Sequence, residues 1–260
     1  MGAAGVPQGE LIHVELDPAP MLVAYATHRR RLATAALDLD AAQLASPSRC
    51  ARWSVADVLR HLCDVDSWMT AIWAGGQPPF DAFDPRSTPD EHVAAGRSVA
   101  DTAVPDRYAD STAAFLEGID PADVDRWSTT SVSPLGLVPW WQSALHLFWD
   151  SWLHERDALL PAGATPTTEP DEVLAALLYG LALSGTMCAR PIDAEVAGAH
   201  LRTGQGPPRA TPGATGVRAD AATAGVVDAL AGRGELAEAV ADVDESVLAE
   251  VGRLARFLRG

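Results

Sequence analysis

The feature that most constrains the fold is an apolar stripe with a marked beginning, "WSVADVLRHLCDVDSWMTAIW", Trp53 to Trp73. Ser54 and Asp57 stand at capping-box spacing, where each side chain satisfies a backbone amide that the first helical turn leaves free. With Val55 at 0° on a helical wheel, Val58, Leu59, Leu62, Val65, Met69 and Ile72 fill an arc from about 260° through 0° to about 40°. A helix so broadly apolar has to bury that face against other elements. Three further segments can supply them. One begins near Pro18 or Pro20, where proline suits a first turn, and runs to about Leu39. Another lies within 91–118, best defined from Pro105 to Leu116, and a fourth follows "SPLGLVP" from about Pro139 to Leu160. Residues 74–90 are too rich in Gly, Pro and Asp for regular structure. Residues 18–160 therefore predict a four-helix bundle.

"PAGATPTTEP", residues 161–170, has the composition of a linker. Residues 171–260 predict a small α+β domain, which makes the fold class α+β. Its elements are a helix from Asp171 to Cys188, a strand within "DAEVAGAHLRT", a turn-rich connector "GQGPPRATPGATG" and a short strand at Val217 to Asp220. A helix from Ala221 to Leu230, a strand at 235–240 and a closing helix from Asp244 to Leu258 follow.

Composition narrows the partners. All 19 basic residues are arginine, with no lysine, and the formal charge is −16, which argues against nucleic acid as a partner, because phosphate binding needs a basic patch. Arg29, Arg30 and Arg31 form the one strong basic cluster and predict an outward face of the first helix. Cys50, Cys63 and Cys188 show no paired spacing, which points to a reducing compartment. No apolar run reaches membrane-spanning length and no signal pattern opens the chain, so the expectation is a cytoplasmic protein with no membrane partner.

Chemistry concentrates in "LHLFWDSWLHERD", Leu145 to Asp157. His146, Asp150 and His154 recur every four residues and form one helical stripe beside an arc of Phe148, Trp149, Trp152 and Leu153. Alone, that stripe fits a metal site or the polar shoulder of an amphipathic helix. His61 adds weight to the first, because it falls at about 240° on its own helix, between Trp68 and Val65, and so looks inward. A buried imidazole left unpaired costs about 1–3 kcal/mol, and a facing helix can provide its partner. His61, Asp150 and His154 together make two imidazoles and a carboxylate, the ligand set of an open zinc site. Cys63 lies about 200° from His61 and cannot share that ion; Cys50 reads as structural. His13, His28, His92 and His200 lack convergent partners and read as surface or singly bonded. Arg156 and Asp157 read as a structural pair or as support behind the ligands. The eight tryptophans are core by default, although Trp140 and Trp141, at a helix start, can line a pocket mouth that receives a co-substrate.

"CARWSVADVLRHLCDVDSWM" and "FWDSWLHERDAL" resemble the two signatures of the mycothiol-dependent maleylpyruvate isomerase family of the DinB-like superfamily, and "GVVDALAGRGE" resembles its C-terminal domain. The resemblance implies a DinB-like four-helix bundle followed by a small α+β domain. It implies zinc, or another divalent metal, on His61, Asp150 and His154, and mycothiol as co-substrate, activated as a thiolate for isomerisation or S-transfer on a small electrophile. Arg233 matches an arginine associated with activity in that family, and can also be read simply as a helix-terminal arginine beside Gly232. Where the family mostly has glutamate, this chain has Asp150. The shorter acid brings the metal nearer its helix or lets His146 take its place. Alternatives of other classes are a non-catalytic DinB-like binding protein and a metal enzyme using a different thiol. The partners implied are small molecules, in a monomer or homodimer of actinobacterial type.

Overall fold

A computed structural model describes residues 11–77, 83–120, 122–134, 136–240 and 243–259. In chain order the elements are β1 (His13–Val14), α1 (Pro18–Leu37), α2 (Ala41–Ala45), α3 (Val55–Trp73), α4 (Thr88–Gly96), α5 (Val104–Glu117), β2 (Thr130–Ser133), β3 (Gly136–Pro139) and α6 (Trp140–Leu159). There follow α7 (Pro170–Gly185), β4 (Asp193–Val196), β5 (Ala199–Arg202), β6 (Arg209–Pro212), α8 (Ala221–Leu230), α9 (Leu236–Ala239), α10 (Glu245–Val251) and α11 (Arg253–Arg259). The class is α+β, with the long helices of a bundle ahead of a sheet-containing C-terminal part. The chain forms two compact units: Leu22–Asp123 with Asp150–Thr167, and Met1–Met21 with Val124–Trp149 and Thr168–Gly260.

The first unit is held by the apolar faces of its helices. Leu32 and Ala36 of α1, Val55, Val58, Leu59 and Leu62 of α3, Val104 and Tyr108 of α5, and Ala158 and Leu159 of α6 form one buried cluster. α3 starts at the capping box its sequence announces, with Asp57 N donating to Ser54 Oγ (3.2 Å) and Ser54 N donating to Asp57 Oδ2 (3.1 Å). The arginine cluster follows the sequence expectation of an outward face only in part: Arg30 is exposed and Arg31 partly so, but Arg29 turns inward. Arg29 is fully buried and gives both Asp66 oxygens hydrogen bonds of 2.5–2.6 Å, while Thr112 and Ser111 donate to the same carboxylate. The charge is tolerated inside because every partner is polar and Tyr108 and Phe115 offer ring faces at 5.3 and 5.5 Å.

The second unit carries a four-stranded sheet of order β1-β6-β5-β4 and a separate β2–β3 hairpin. "DAEVAGAHLRT" contains two strands, not one, joined at Ala197 and Gly198, both at positive φ (51° and 79°), which is what a two-residue hairpin turn requires. A Cβ on Gly198 would stand 2.1 Å from the Gly216 carbonyl oxygen, so no other residue fits there. The turn-rich connector hides β6, which pairs antiparallel with β5 and parallel with β1. Val217 to Asp220 is not a strand: Asp220 instead caps α8, accepting from Thr223 N at 2.9 Å. Residues 236–239 are helical where a strand is expected, and the closing helix breaks at Gly252. Among the described residues no helix is long and apolar enough to cross a membrane.

Asp57 tests the start of α3. Burial acts to raise its carboxyl, but hydrogen bonds from Arg97 and Ser54, with the charges of Arg97 and Arg60, outweigh burial and hold it below the usual carboxylate range. A folded value below the unfolded one stabilises the fold above the unfolded pKa, and that contribution disappears as pH falls through the folded value. Asp57→Asn should cost about 2 kcal/mol at neutral pH. In denaturant titrations the gap to wild type should shrink below about pH 4; a gap independent of pH would contradict this assignment.

Candidate metal centre

Two helices of the first unit bring three side chains together. α3 presents His61, and α6 presents Asp150 and His154 one turn apart on the same face. Their ligand atoms all lie within 4.8 Å of one another. His61 Nε2 is 3.5 Å from Asp150 Oδ2 and His154 Nε2 is 3.4 Å from Asp150 Oδ1, so each carboxylate oxygen faces one imidazole. Both histidines are buried, while the Asp150 side chain keeps 24% exposure, which leaves an approach from solvent. The two rings meet edge to face with centroids 4.9 Å apart.

The distances bear on whether these residues suit a metal ion. Two ligands about 2.0–2.1 Å from a tetrahedral ion stand about 3.3 Å apart, close to the observed 3.4 and 3.5 Å. Direct hydrogen bonds between these groups run shorter, at about 2.7–3.2 Å. His61 Nδ1 is buried and has no hydrogen-bond partner among the described residues, so this ring has only its Nε2 for polar interaction. The donor set, its spacing and its burial fit a divalent ion such as zinc.

Electrostatics shift Asp150 and His154 in opposite directions. Burial would raise the Asp150 carboxyl, yet the His154 charge and the His154 and His61 imidazole nitrogens facing its two oxygens keep it well below the usual range. Burial likewise works against a charged His154, and Asp150, Asp157 and Cys50 together raise it well above an ordinary histidine.

Around the triad stand Trp53 and Cys50, which the sequence reading placed elsewhere, and Asp157, which it read as a structural partner of Arg156 or as support behind the ligands. Trp53, counted as core, lays its ring 5.1 Å from that of His61 and 5.9 Å from that of His154, and its Nε1 donates to Asp90 Oδ1 at 2.8 Å. Asp157 Oδ2 lies 3.0 Å from His154 Nδ1, and Cys50 Sγ donates to the same oxygen at 3.3 Å. Its position three residues after His154 was the available signal for Asp157; nothing in the local pattern marked Cys50. Cys63 stays apart, its thiol pushed up to about 11 by burial.

His28 also departs from expectation. It is completely buried, with Nε2 2.9 Å from Ser151 Oγ and Nδ1 3.0 Å from Arg31 Nη2, while Arg31 pairs with Glu155 at 3.1 Å. A guanidinium only donates, so Nδ1 accepts and Nε2–H donates to Ser151. That polarity is the reverse of what activates a serine nucleophile. The network ties α1 to the ligand-bearing stretch of α6.

The remaining candidates lie in the second unit. His146 Nδ1 is 2.7 Å from Tyr179 OH, and its ring packs beside Trp149 and Tyr179. Trp140 is buried edge-on against Trp127 with the Arg126 guanidinium 4.9 Å from its ring centre. Trp141 lines a cavity of about 400 Å³ with Trp127, Leu145, Leu16 and Met21. Arg233 follows the C-terminus of α8, and its Nη1 donates to Ala231 O at 3.0 Å.

Fold and site together define a helical-bundle protein with a histidine–carboxylate–histidine cluster shared by two helices. The model of the mycothiol maleylpyruvate isomerase N-terminal domain matches residues 25–159, and the chain belongs to that family. A solved structure of the mycothiol-dependent maleylpyruvate isomerase aligns with a TM-score of 0.54 at 17% identity, covering 84% of this chain and 88% of that one. A structure of its histidine-to-alanine mutant aligns at 0.52 and 18%, covering 88% and 94%. At such identities the likeness is one of fold. No match was found among curated proteins.

Proposed function

We propose that this protein is a metal-dependent thiol enzyme, with zinc held by His61, Asp150 and His154 and mycothiol as the co-substrate that attacks a small electrophile. The observation that carries the reading is the spacing of 3.4 and 3.5 Å between the carboxylate oxygens and the two imidazole nitrogens, in a chain of the mycothiol maleylpyruvate isomerase family. The chemistry a divalent ion supplies there is to stabilise a bound thiol as its nucleophilic thiolate.

The chain's own residues set the conditions for that chemistry. Two neutral imidazoles and one carboxylate offset a single positive charge of a divalent ion, so the site retains a net attraction for an anionic sulfur. Trp53 covers the imidazoles and keeps water from their faces, and the partial exposure of Asp150 leaves the side by which a thiol enters. Asp150 reaches both histidines despite being one methylene shorter than glutamate, which supports it over His146 as the acidic ligand. Attack on an electrophilic carbon forms a C–S bond and pushes an electron pair onto the acceptor; re-expelling the thiolate after rotation gives isomerisation, whereas returning the thiol's proton to the retained adduct, or loss of a leaving group from that carbon with the electron pair, gives S-transfer. The reading extends to Arg233 as an anchor for an acidic acceptor, and to a cytoplasmic location, where mycothiol is available.

Metal analysis of purified protein, followed by a mycothiol-consumption assay with a reactive acceptor, tests the reading. Wild type should carry one equivalent of metal and consume mycothiol; His154→Ala should lose both, while His146→Ala should retain its metal. Wild type without metal after zinc reconstitution would overturn the proposal. For the anchor, Arg233→Ala should raise KM for a carboxylate-bearing acceptor at least tenfold and leave a neutral acceptor unaffected; an equal effect on both would remove Arg233 from the account.

A further inference from the structure

The two candidate imidazole ligands differ in what stands behind them. His61 Nδ1 is buried without a partner among the described residues. His154 Nδ1 has Asp157 Oδ2 at 3.0 Å, and Asp157 is fully buried. The carboxylate is itself held in place: Cys50 Sγ donates to Oδ2 at 3.3 Å, Arg49 Nε lies 3.6 Å from Oδ1, and the Arg49 amide donates to the Asp157 carbonyl at 3.1 Å. The 48–53 turn that fixes Cys50 is closed by Ser48, whose Oγ accepts from the Cys50 amide at 3.0 Å and donates to the Trp53 carbonyl at 2.8 Å.

We infer that Asp157 is a positioning residue: it holds the proton of His154 on Nδ1 and so aims the Nε2 lone pair at the space shared with Asp150 and His61. The inference rests on the metal reading above and adds to it an order among the ligands. A carboxylate behind an imidazole fixes both tautomer and ring orientation and makes the ring a stronger donor. His154 is therefore the preorganised ligand. His61, lacking such support, is oriented by packing against Trp53 and supplies a weaker bond.

The test compares Asp157→Leu, which removes the acceptor, with Asp157→Asn, which keeps an acceptor oxygen without the charge. Zinc affinity is measured by chelator competition on full-length protein, and the environment of His154 is followed by the imidazole ¹⁵N shifts of zinc-loaded, histidine-labelled protein. Asp157→Leu should bind zinc about 10–100-fold more weakly than wild type. Asp157→Asn should recover most of that loss, and the Nδ1–H signature of His154 should be present in wild type and Asp157→Asn. If Asp157→Leu does not fold, Asp157→Asn carries the test, and a several-fold loss of affinity with altered His154 shifts is the expected result. Wild-type affinity in every folded variant, with unchanged shifts, overturns the positioning role while leaving the metal reading intact. A wild type that binds no zinc overturns both.

Discussion

A mostly buried carboxylate with an imidazole facing each oxygen is the interaction around which the first unit is organised. Asp150 and His154 come from one helix and His61 from another, so the three groups converge only if α3 and α6 keep their rotation and register. The apolar cluster of Val55, Val58, Leu59, Leu62, Ala158 and Leu159 provides that constraint, because displacing either helix would open the core. The polar side of α6 is fixed just as firmly. His28 and Arg31 reach Ser151 and Glu155, the residues immediately after each of the two α6 ligands.

Burial makes the site reactive and also makes it expensive. Two nearly buried imidazoles beside a carboxylate are stable in the absence of an ion only because the charges neutralise one another, which explains why Asp150 is held low and His154 high. A divalent cation can replace the proton on His154 Nε2 and answer the same carboxylate. The ion brings two positive charges where the proton brought one, so the site gains a net positive charge, and Asp150 offsets part of the desolvation cost of holding it. Trp53 and the 48–53 turn complete the surroundings, the indole over the rings and Cys50 behind them.

Much of this was legible in the chain. The capping box at Ser54 and the apolar arc of α3 fixed the rotation of His61, and the fourfold spacing in "LHLFWDSWLHERD" placed Asp150 and His154 on one face. What the sequence withheld depends on pairing across the fold. Arg29 and His28 look like surface residues on a wheel of α1, and only partners far along the chain, Asp66 and Ser151, make their burial tolerable. β6 lies in a Pro- and Gly-rich stretch whose strand character comes from its neighbours β1 and β5. Cys50 gave no signal because its role arises from a turn folding back against α6, and helical periodicity carries no information about turns.

The most direct measurement of the central claim is X-ray absorption spectroscopy of the zinc-loaded protein. Binding by His61, Asp150 and His154 predicts a first shell of nitrogen and oxygen at about 2.0–2.1 Å with outer scattering from two imidazoles. Before any thiol is added, that shell should contain no sulfur. A sulfur scatterer at about 2.3 Å would place the ion instead on Cys50, Asp157 and the opposite nitrogen of His154, and would contradict the account.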